Sequence, residues 1–500
     1  LSGNVKAKLQ QATEAGLRTN VRALEAVQPA AKTKDNVRPS IRGAWMPESV
    51  FKEFLADLGA TAPKVSIIPS QGMIIASSNT LTETEFGLQF KHSQRTVVDL
   101  FNAAASGKPI TIWVKDSNGY SIKNETATKE VNLLVERMAK VFNEWAWSND
   151  NRVQQVVDAF NEKMNTHVAR KYDGNKYLRA VGASPSIELR TTQKNAAWRI
   201  VQAQTVLLDH VVGAGKTYTV ITGAMQRRRL GLSRKPMIVV PNHLVTQWAR
   251  DFYALYPGAK ILAATPDDFA KNKRRRLFSR IATGDFDAVI IGHSSLSFIE
   301  TPLADQQLVI NEQIKELQDV LKELKAKKES GRTLTQIQEK LQKYEGKLKE
   351  LQDVRRDDIG IDLEKMGVDY LAVDEMHEFK NLEYSTAGER VVGTNDPKGP
   401  KKAFDLYLKV RGMLARGGAV TGATGTPVSN SLVELYTMMK YLAHKDLVSR
   451  NQLNFDAWSG AYARTETKLE YTATQKLKPR RVLAGLNNLS ALKQLYEQFA

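Results

Sequence analysis

From about Ile187 onward, six apolar runs alternate with segments of helical pattern: TVLLDH at 205–210, MIVVP at 237–241, KILAAT at 260–265, DAVIIGH at 287–293, YLAVDE at 370–375 and AVTGATG at 419–425. The runs are apolar nearly throughout, so strands made from them must be covered on both faces. Doubly covered strands separated by helices define an α/β fold with a parallel sheet between helical layers. Sheets of this kind bind ligands beyond the carboxyl ends of their strands. The motifs with chemical content in this chain all fall at such ends.

The first is Leu207–Thr217, LLDHVVGAGKT. A short strand, a glycine-containing turn and Lys216-Thr217 at the start of a helix make the layout of a phosphate-binding loop. Backbone N–H groups and the positive helix end suit an anion, Lys216 adds a point charge, and Thr217 offers a hydroxyl to Mg²⁺. His210 stands where the full pattern has its first glycine. The second motif is Asp374-Glu375-Met376-His377 at the tip of YLAV. Two adjacent carboxylates there fit a Mg²⁺·ATP site, Asp374 holding the metal and Glu375 polarising the attacking water. The competing structural reading makes them caps of the next helix. The third, Thr424-Gly425-Thr426-Pro427, sits between a strand and the apolar segment 431–442. It is able to sense the phosphate state through the acidic motif, or is simply a turn.

Charge narrows the partner. The chain of 500 residues carries 72 Lys and Arg against 54 Asp and Glu, a formal net charge of +18. Such an excess favours a polyanion, nucleic acid foremost, through counterion release; the plainer alternative is charge that only maintains solubility. With no cysteine, disulfides and thiolate metal sites are excluded, and the seven histidines show no ligand spacing. No apolar run is long enough to span a bilayer, no signal peptide opens the chain, and no membrane partner is expected. Leu1 in place of Met suggests a segment of something longer.

Residues 1–40 read as a helical or partly disordered leader and 41–185 as an α+β accessory module. In the latter, Trp45, Val50, Phe51, Phe54, Leu55 and Leu58 form an apolar helix face after Pro47, and two more helices are expected at Glu130–Trp147 and Arg152–Tyr172. Trp145 and Trp147 read as core. The sheet domain falls into 186–302 and 357–445, with 446–500 leading towards a second lobe. Between its parts, 303–356 reads as an inserted antiparallel helical hairpin: Ile310, Ile314, Leu317, Leu321 and Leu324, then Leu334, Ile337, Leu341, Tyr344, Leu348 and Leu351, repeat at heptad spacing around the connection at 329–332. It serves either as a DNA-touching or partner-docking arm or as a solvated decoration packed on itself. Basic runs occur at 227–229, at Lys271–Arg276, at 398–402 and at 478–481. Lys273, Arg274, Arg275 and Arg276 are candidates to grip phosphates without reading sequence; charge runs otherwise serve as solvated faces.

Taken together, LRTTQKNAAWRI (189–200), LLDHVVGAGKT, IVVPNHLVTQW (238–248), AVIIGHSSL (288–296), DEMHEFKN (374–381) and ATGTPVSNSLVELYTMMKYL (423–442) resemble, in order, the Q-type motif and motifs I, Ia, Ib, II and III of superfamily 2 helicases, within the Swi/Snf-like group of DNA translocases. GAWMPESVFKEFL, KYDGNKYL and LYPGAKILAA look like the large methylase-helicase proteins of phages and mobile elements, related to DarB-type defence proteins. The resemblance implies a RecA-like P-loop domain, Mg²⁺ and ATP as cofactors, double-stranded DNA as partner, and a bacterial cytoplasmic or phage-delivered location. It assigns adenine recognition to Gln193 and the phosphate cradle to Gly213, Ala214, Gly215, Lys216, Thr217 and Tyr218. Mg²⁺ falls to Thr217 and Asp374, and catalysis to Lys216, Asp374, Glu375 and His377. Coupling falls to Thr424, Gly425 and Thr426, with His377 linking to Thr424 and Thr426, and a groove tracking one strand to Pro241, Asn242, His243, Gln247, Gly292, His293 and Ser294.

Two departures qualify the match. His210 and Val211 replace acidic residues often found ahead of the loop, and the second RecA-like lobe with an arginine finger that the resemblance implies is longer than the roughly sixty residues of this sequence after the third motif. Such a finger supplies orders of magnitude in rate, so full activity is expected from a longer parent chain. The methylase sequence N-P-P-[YFW] is absent from this segment, leaving any methylase domain to that parent. Three readings remain open: an ATP-driven DNA translocase or helicase lobe, a nucleotide-fold DNA-binding or assembly module without turnover, and an RNA helicase.

Overall fold

A computed structural model of the chain describes residues 1–326, 332–353, 361–382, 384, 386, 401–428, 432–471 and 477–500. Two compact units are formed: 171–383 with 395–443 and 499–500, and 1–170 with 384–394 and 444–498.

The first of these units is the α/β domain expected from the apolar runs. Its strands are β1 (Thr205–Leu208), β2 (Pro236–Val240), β3 (Ile261–Ala264), β4 (Ala288–Gly292), β5 (Tyr370–Val373) and β6 (Ala419–Ala423). They form one six-stranded sheet in the order β3-β4-β2-β5-β6-β1, with every neighbouring pair parallel. β2, β4, β5 and β6 are buried at every position, which is why they carry no polar alternation. The motifs lie at or just beyond the strand ends, and the ends are level: Leu208 pairs with Ala423, Gly422 with Val373, Val373 with Val239, and Val240 with Gly292. The motifs thereby stand in one row along the sheet edge, in the spatial order of their strands.

Helices cover the sheet. α1 (Thr191–Gln202) and α2 (Lys216–Arg229) approach so closely that a Cβ on Gly223 would lie 2.6 Å from Ile200 Cγ2. In α3 (Val245–Leu255), Val245, Trp248, Phe252 and Leu255 follow helical spacing and are buried in the core with Ile238, Val240 and Ile290. Burying each such side chain stabilises by about 1.5–3 kcal/mol. α4 (Lys271–Thr283) buries Leu277, Phe278 and Ile281 and leaves its basic side outward.

The inserted hairpin is α5 (Leu303–Ala326) and α6 (Arg332–Asp353); the link expected at 329–332 lies, for 329–331, outside the described residues. Ile314, Leu317, Leu321 and Leu324 are buried as the spacing demands, joined by Val309 and Val320, whereas of the α6 seam only Ile337 is fully buried. The hairpin is not packed on itself alone. At its base Glu312 receives Arg411 Nη2 at 2.6 and 2.8 Å, and Asp305 receives Arg416, both arginines lying on or just after α7 (Lys401–Ala415). α8 (Leu432–Leu442) closes the unit.

The other unit is built around an aromatic cluster. Phe51 and Phe54 of helix Glu48–Asp57 pack on Phe101, Phe142 and Trp145. Trp145 is core, its Nε1 donating to Asp57 at 2.8 Å. Residues at the amino end form helices at Val5–Glu14 and Arg18–Glu25. The helix expected at 152–172 spans Asp150–Lys163 instead. It stops because His167-Val168 turns extended to pair with Gly3-Asn4, so backbone bonds to a distant segment replace a further helical turn. Of residues 446–500, read by sequence as leading towards a second lobe, 446–498 belong to this unit and 499–500 to the other. Arg450 reaches His167 Nδ1 at 2.8 Å, and a Cβ on Gly72 would lie 2.4 Å from the Ala457 nitrogen.

Candidate nucleotide and nucleic-acid site

After β1 the chain turns through Asp209–Gly215 into α2. Gly213 and Gly215 have φ of 82° and 79°, the left-handed region where glycine carries no steric penalty. Gly215 has a second reason to be glycine: a Cβ there would lie 2.2 Å from Gln193 Nε2. That amide donates to the Gly215 carbonyl at 3.1 Å, while its Oε1 accepts the Arg190 N–H at 2.9 Å. Gln193 is thus buried against the loop from α1. Lys216 Nζ donates to the His210 carbonyl at 2.8 Å and the Val211 carbonyl at 3.3 Å, folding the loop around its own amine. Ala214 and Thr217 are partly exposed at the loop and first helical turn, whereas Tyr218 is packed partly against the core. The His210 imidazole, in place of a glycine, is held below the usual histidine range, first by burial, against the opposing pull of Asp209 and with further help from Lys216.

Beyond β5, Asp374 donates its N–H to the Val239 carbonyl at 2.8 Å, and its carboxyl is pushed up to about 6. Loss of water is the larger cause and the neighbouring Glu375 carboxylate the next; Lys216 and a hydrogen bond from Trp248 act in the opposite direction. A buried carboxylate beside another, with one lysine as counter-charge, is the environment a divalent cation would relieve. Glu375 adopts φ 47°, ψ 48°, an uncommon backbone for a residue with a side chain. Its side chain makes no capping bond to the short helix Met376–Phe379, so capping does not account for Glu375. Instead Glu375 Oε2 lies 3.1 Å from His377 Nδ1, which lies 3.0 Å from Thr424 Oγ1, and Thr424 Oγ1 accepts the Thr426 N–H at 3.1 Å. This chain of contacts runs from β5 to the end of β6. Gly425 lies alongside the loop, since a Cβ on it would meet Val212 Cγ2 at 3.0 Å and Lys216 Nζ at 3.6 Å.

The residues assigned to the groove divide. Asn242, His243, Gln247 and Ser294 are exposed at the ends of β2 and β4, and Pro241 is partly so. Asn242 Oδ1 accepts the Ser294 N–H at 3.2 Å, and a Cβ on Gly292 would lie 2.2 Å from that oxygen. His293 turns the other way: its Nε2 lies 2.8 Å from the Asp374 carbonyl and its ring packs on Phe379. Burial holds the ring below the usual histidine range, so the neutral Nε2–H form donates to that oxygen. Two roles escaped the sequence reading, that of His293 towards Asp374 and that of Trp248, because neither is local in sequence.

Of the basic runs, 227–229 is absorbed by structure. Arg227 is buried, donating to the carbonyls of Ile200 and Val201, and Arg228 pairs with Asp285 and Asp287. Lys402 pairs with Glu378, while 398–400 and the side chains of 481 and its neighbours lie outside the described residues. Lys273, Arg275 and Arg276 are exposed on α4 and Arg274 half-buried; among the described residues no carboxylate pairs with them.

An α/β lobe with a glycine-containing loop, an acidic pair and a Thr-Gly-Thr segment gathered at one sheet edge is the class this arrangement defines. Residues 198–500, more than half of the chain, match the family described as a probable helicase domain, and the chain belongs to that family. Residues 41–166 match a domain of unknown function. No curated protein matches the chain. Among solved structures it is similar to the Sulfolobus solfataricus SWI2/SNF2 ATPase core in complex with dsDNA, at 14% identity and a TM-score of 0.31, over 55% of this chain and 40% of that one. No helix among the described residues is long and apolar enough to cross a membrane.

Proposed function

We propose that this chain is the ATP-binding lobe of a DNA translocase or helicase that works with a second lobe of its parent protein. The observation that carries the reading is the meeting of Lys216, Asp374, Glu375, His377 and Thr424 at the level ends of three adjacent strands, β1, β6 and β5. When bound, Mg²⁺·ATP supplies the phosphoanhydride whose hydrolysis provides the driving force. Thr217 and Asp374 are the groups to hold the metal, and the desolvated Asp374 carboxyl fits a cation. Lys216, now bonded to the His210 and Val211 carbonyls, would hold the phosphates when nucleotide binds, and loop N–H groups would complete the cradle. Gln193, whose amide is engaged by Arg190 and Gly215, is the residue this reading assigns to adenine recognition. Glu375 accepts the proton of the attacking water, and His377 holds its carboxylate and reports through Thr424 to the segment after β6. Asn242, His243, Gln247, Ser294 and the α4 cations contact the DNA backbone.

DNA-stimulated ATPase on the parent chain tests this reading. Lys216→Ala is expected to abolish nucleotide binding, and Glu375→Gln to bind nucleotide with turnover reduced by about two orders of magnitude or more. Equal turnover by wild type and Glu375→Gln removes the catalytic assignment and leaves a binding or assembly module.

A further inference from the structure

Among the cations at the start of α4, Arg274 is set apart: its guanidinium carbon lies 5.4 Å from the centroid of the Phe298 ring, whereas Lys273, Arg275 and Arg276 project into solvent. Phe298 is 42% exposed, a large apolar ring left at the surface just past the carboxyl end of β4, where Ser297 Oγ donates to the Ser294 carbonyl at 2.7 Å. Its position is not loose. The ring stacks on Phe269 at 6.0 Å with 26° between planes, and Phe269, 2% exposed, meets the buried Phe278 of α4 edge-on at 5.9 Å. A column of three rings thus runs from the core to the surface and ends under one arginine, beside the exposed Ser294 turn.

An arginine in open solvent loses rotamer entropy when it grips an anion; one laid on a fixed ring has given up part of that freedom beforehand. A cation–π contact at this distance holds the guanidinium over the ring and leaves N–H groups for a paired contact to phosphate. We propose that Phe298 is a positioning residue that holds Arg274 ready for a phosphate of the DNA backbone, making Arg274 the dominant contact of the basic run. The inference rests on the DNA-binding reading given above. The ligand is the phosphodiester and not a base, so the contact carries affinity without sequence preference.

The test is equilibrium binding of the full chain to a fluorescent duplex of mixed sequence over a range of salt concentrations, with thermal midpoints recorded alongside. Arg274→Ala is expected to weaken binding about tenfold and to lower the slope of log affinity against log salt by about 0.9. Phe298→Leu, which keeps an apolar side chain but no ring, should weaken binding several-fold at an unchanged thermal midpoint, and Phe298→Tyr should bind as wild type. Arg274→Lys should fall short of wild type, because the charge remains while the stack does not. The double variant Phe298→Leu/Arg274→Ala should bind no worse than Arg274→Ala. Wild-type affinity in Phe298→Leu, or losses that multiply in the double variant, overturns the positioning role while Arg274→Ala still registers DNA binding. Absence of salt-dependent binding by wild type overturns the DNA reading and this inference with it.

Discussion

His293 Nε2 lies 2.8 Å from the main-chain oxygen of Asp374, so the residue that follows β4 holds the residue that follows β5, across the end of β2 between them. One side of this contact belongs to the exposed Asn242–Ser294 turn and the other to the acidic pair. Removing the imidazole leaves a shielded carbonyl without its donor. His293→Ala is expected to cost about 1–3 kcal/mol in urea unfolding, and His293→Gln, which retains an N–H donor, to recover part of it. Equal stabilities for wild type and His293→Ala would mean the contact contributes nothing in solution.

The Asp374 carboxyl links stability to pH. Its folded value, raised from 3.8 to about 6, means the native state binds the proton more tightly than the unfolded chain. Stability therefore falls as pH rises from about 4 through about 6, and the full cost, about 3 kcal/mol, is present above that window. Asp374→Asn should stabilise the nucleotide-free protein near pH 8 and make little difference near pH 3.5. A stabilisation independent of pH would refute the burial argument. Adding Mg²⁺·ATP should stabilise wild type and not the variant.

Gly215→Ala meets two separate penalties. A left-handed backbone at a residue with a side chain costs about 1–2 kcal/mol, and the new methyl would press on Gln193 Nε2. In a double-mutant cycle, Gln193→Ala should relieve the second penalty and leave the first. Strict additivity of the two losses in urea unfolding would show that the loop does not rest on Gln193.

The hairpin base depends on Asp305, which is 3% exposed and takes Arg416 through both carboxylate oxygens. Because Arg416 is partly exposed and can turn to water, Asp305→Ala should cost about 1–3 kcal/mol, less than a fully buried pair. Gly412→Ala should act similarly without altering charge, since its Cβ would lie 1.9 Å from Asp305 Oδ2. Limited proteolysis should cut both variants in 303–353 sooner than wild type. Unchanged cutting would mean that the seam between α5 and α6 anchors the arm unaided.

Residue order and hydrophobic pattern were enough to establish six apolar strands, a parallel sheet, a helical insertion and the loop and acidic motifs at strand ends. Each follows from short-range regularities: apolar runs that need cover on both faces, heptads that need a partner, glycines where the chain turns into a helix. Charge composition pointed to a polyanion but did not distinguish Arg227, buried against the α1 carbonyls, from Arg274, laid on Phe298. What only the tertiary structure decided is the strand order that sets β6 between β1 and β5; the link of His377 to Thr424, which that order makes possible, was already implied by the family resemblance. It also decided the turn of His293 towards Asp374, and the return of 444–498 to the amino-terminal unit. These depend on side chains from distant parts of the chain sharing one desolvated space, and burial, hydrogen bonding and charge there are properties of the packed ensemble of neighbours, which no local stretch of sequence contains.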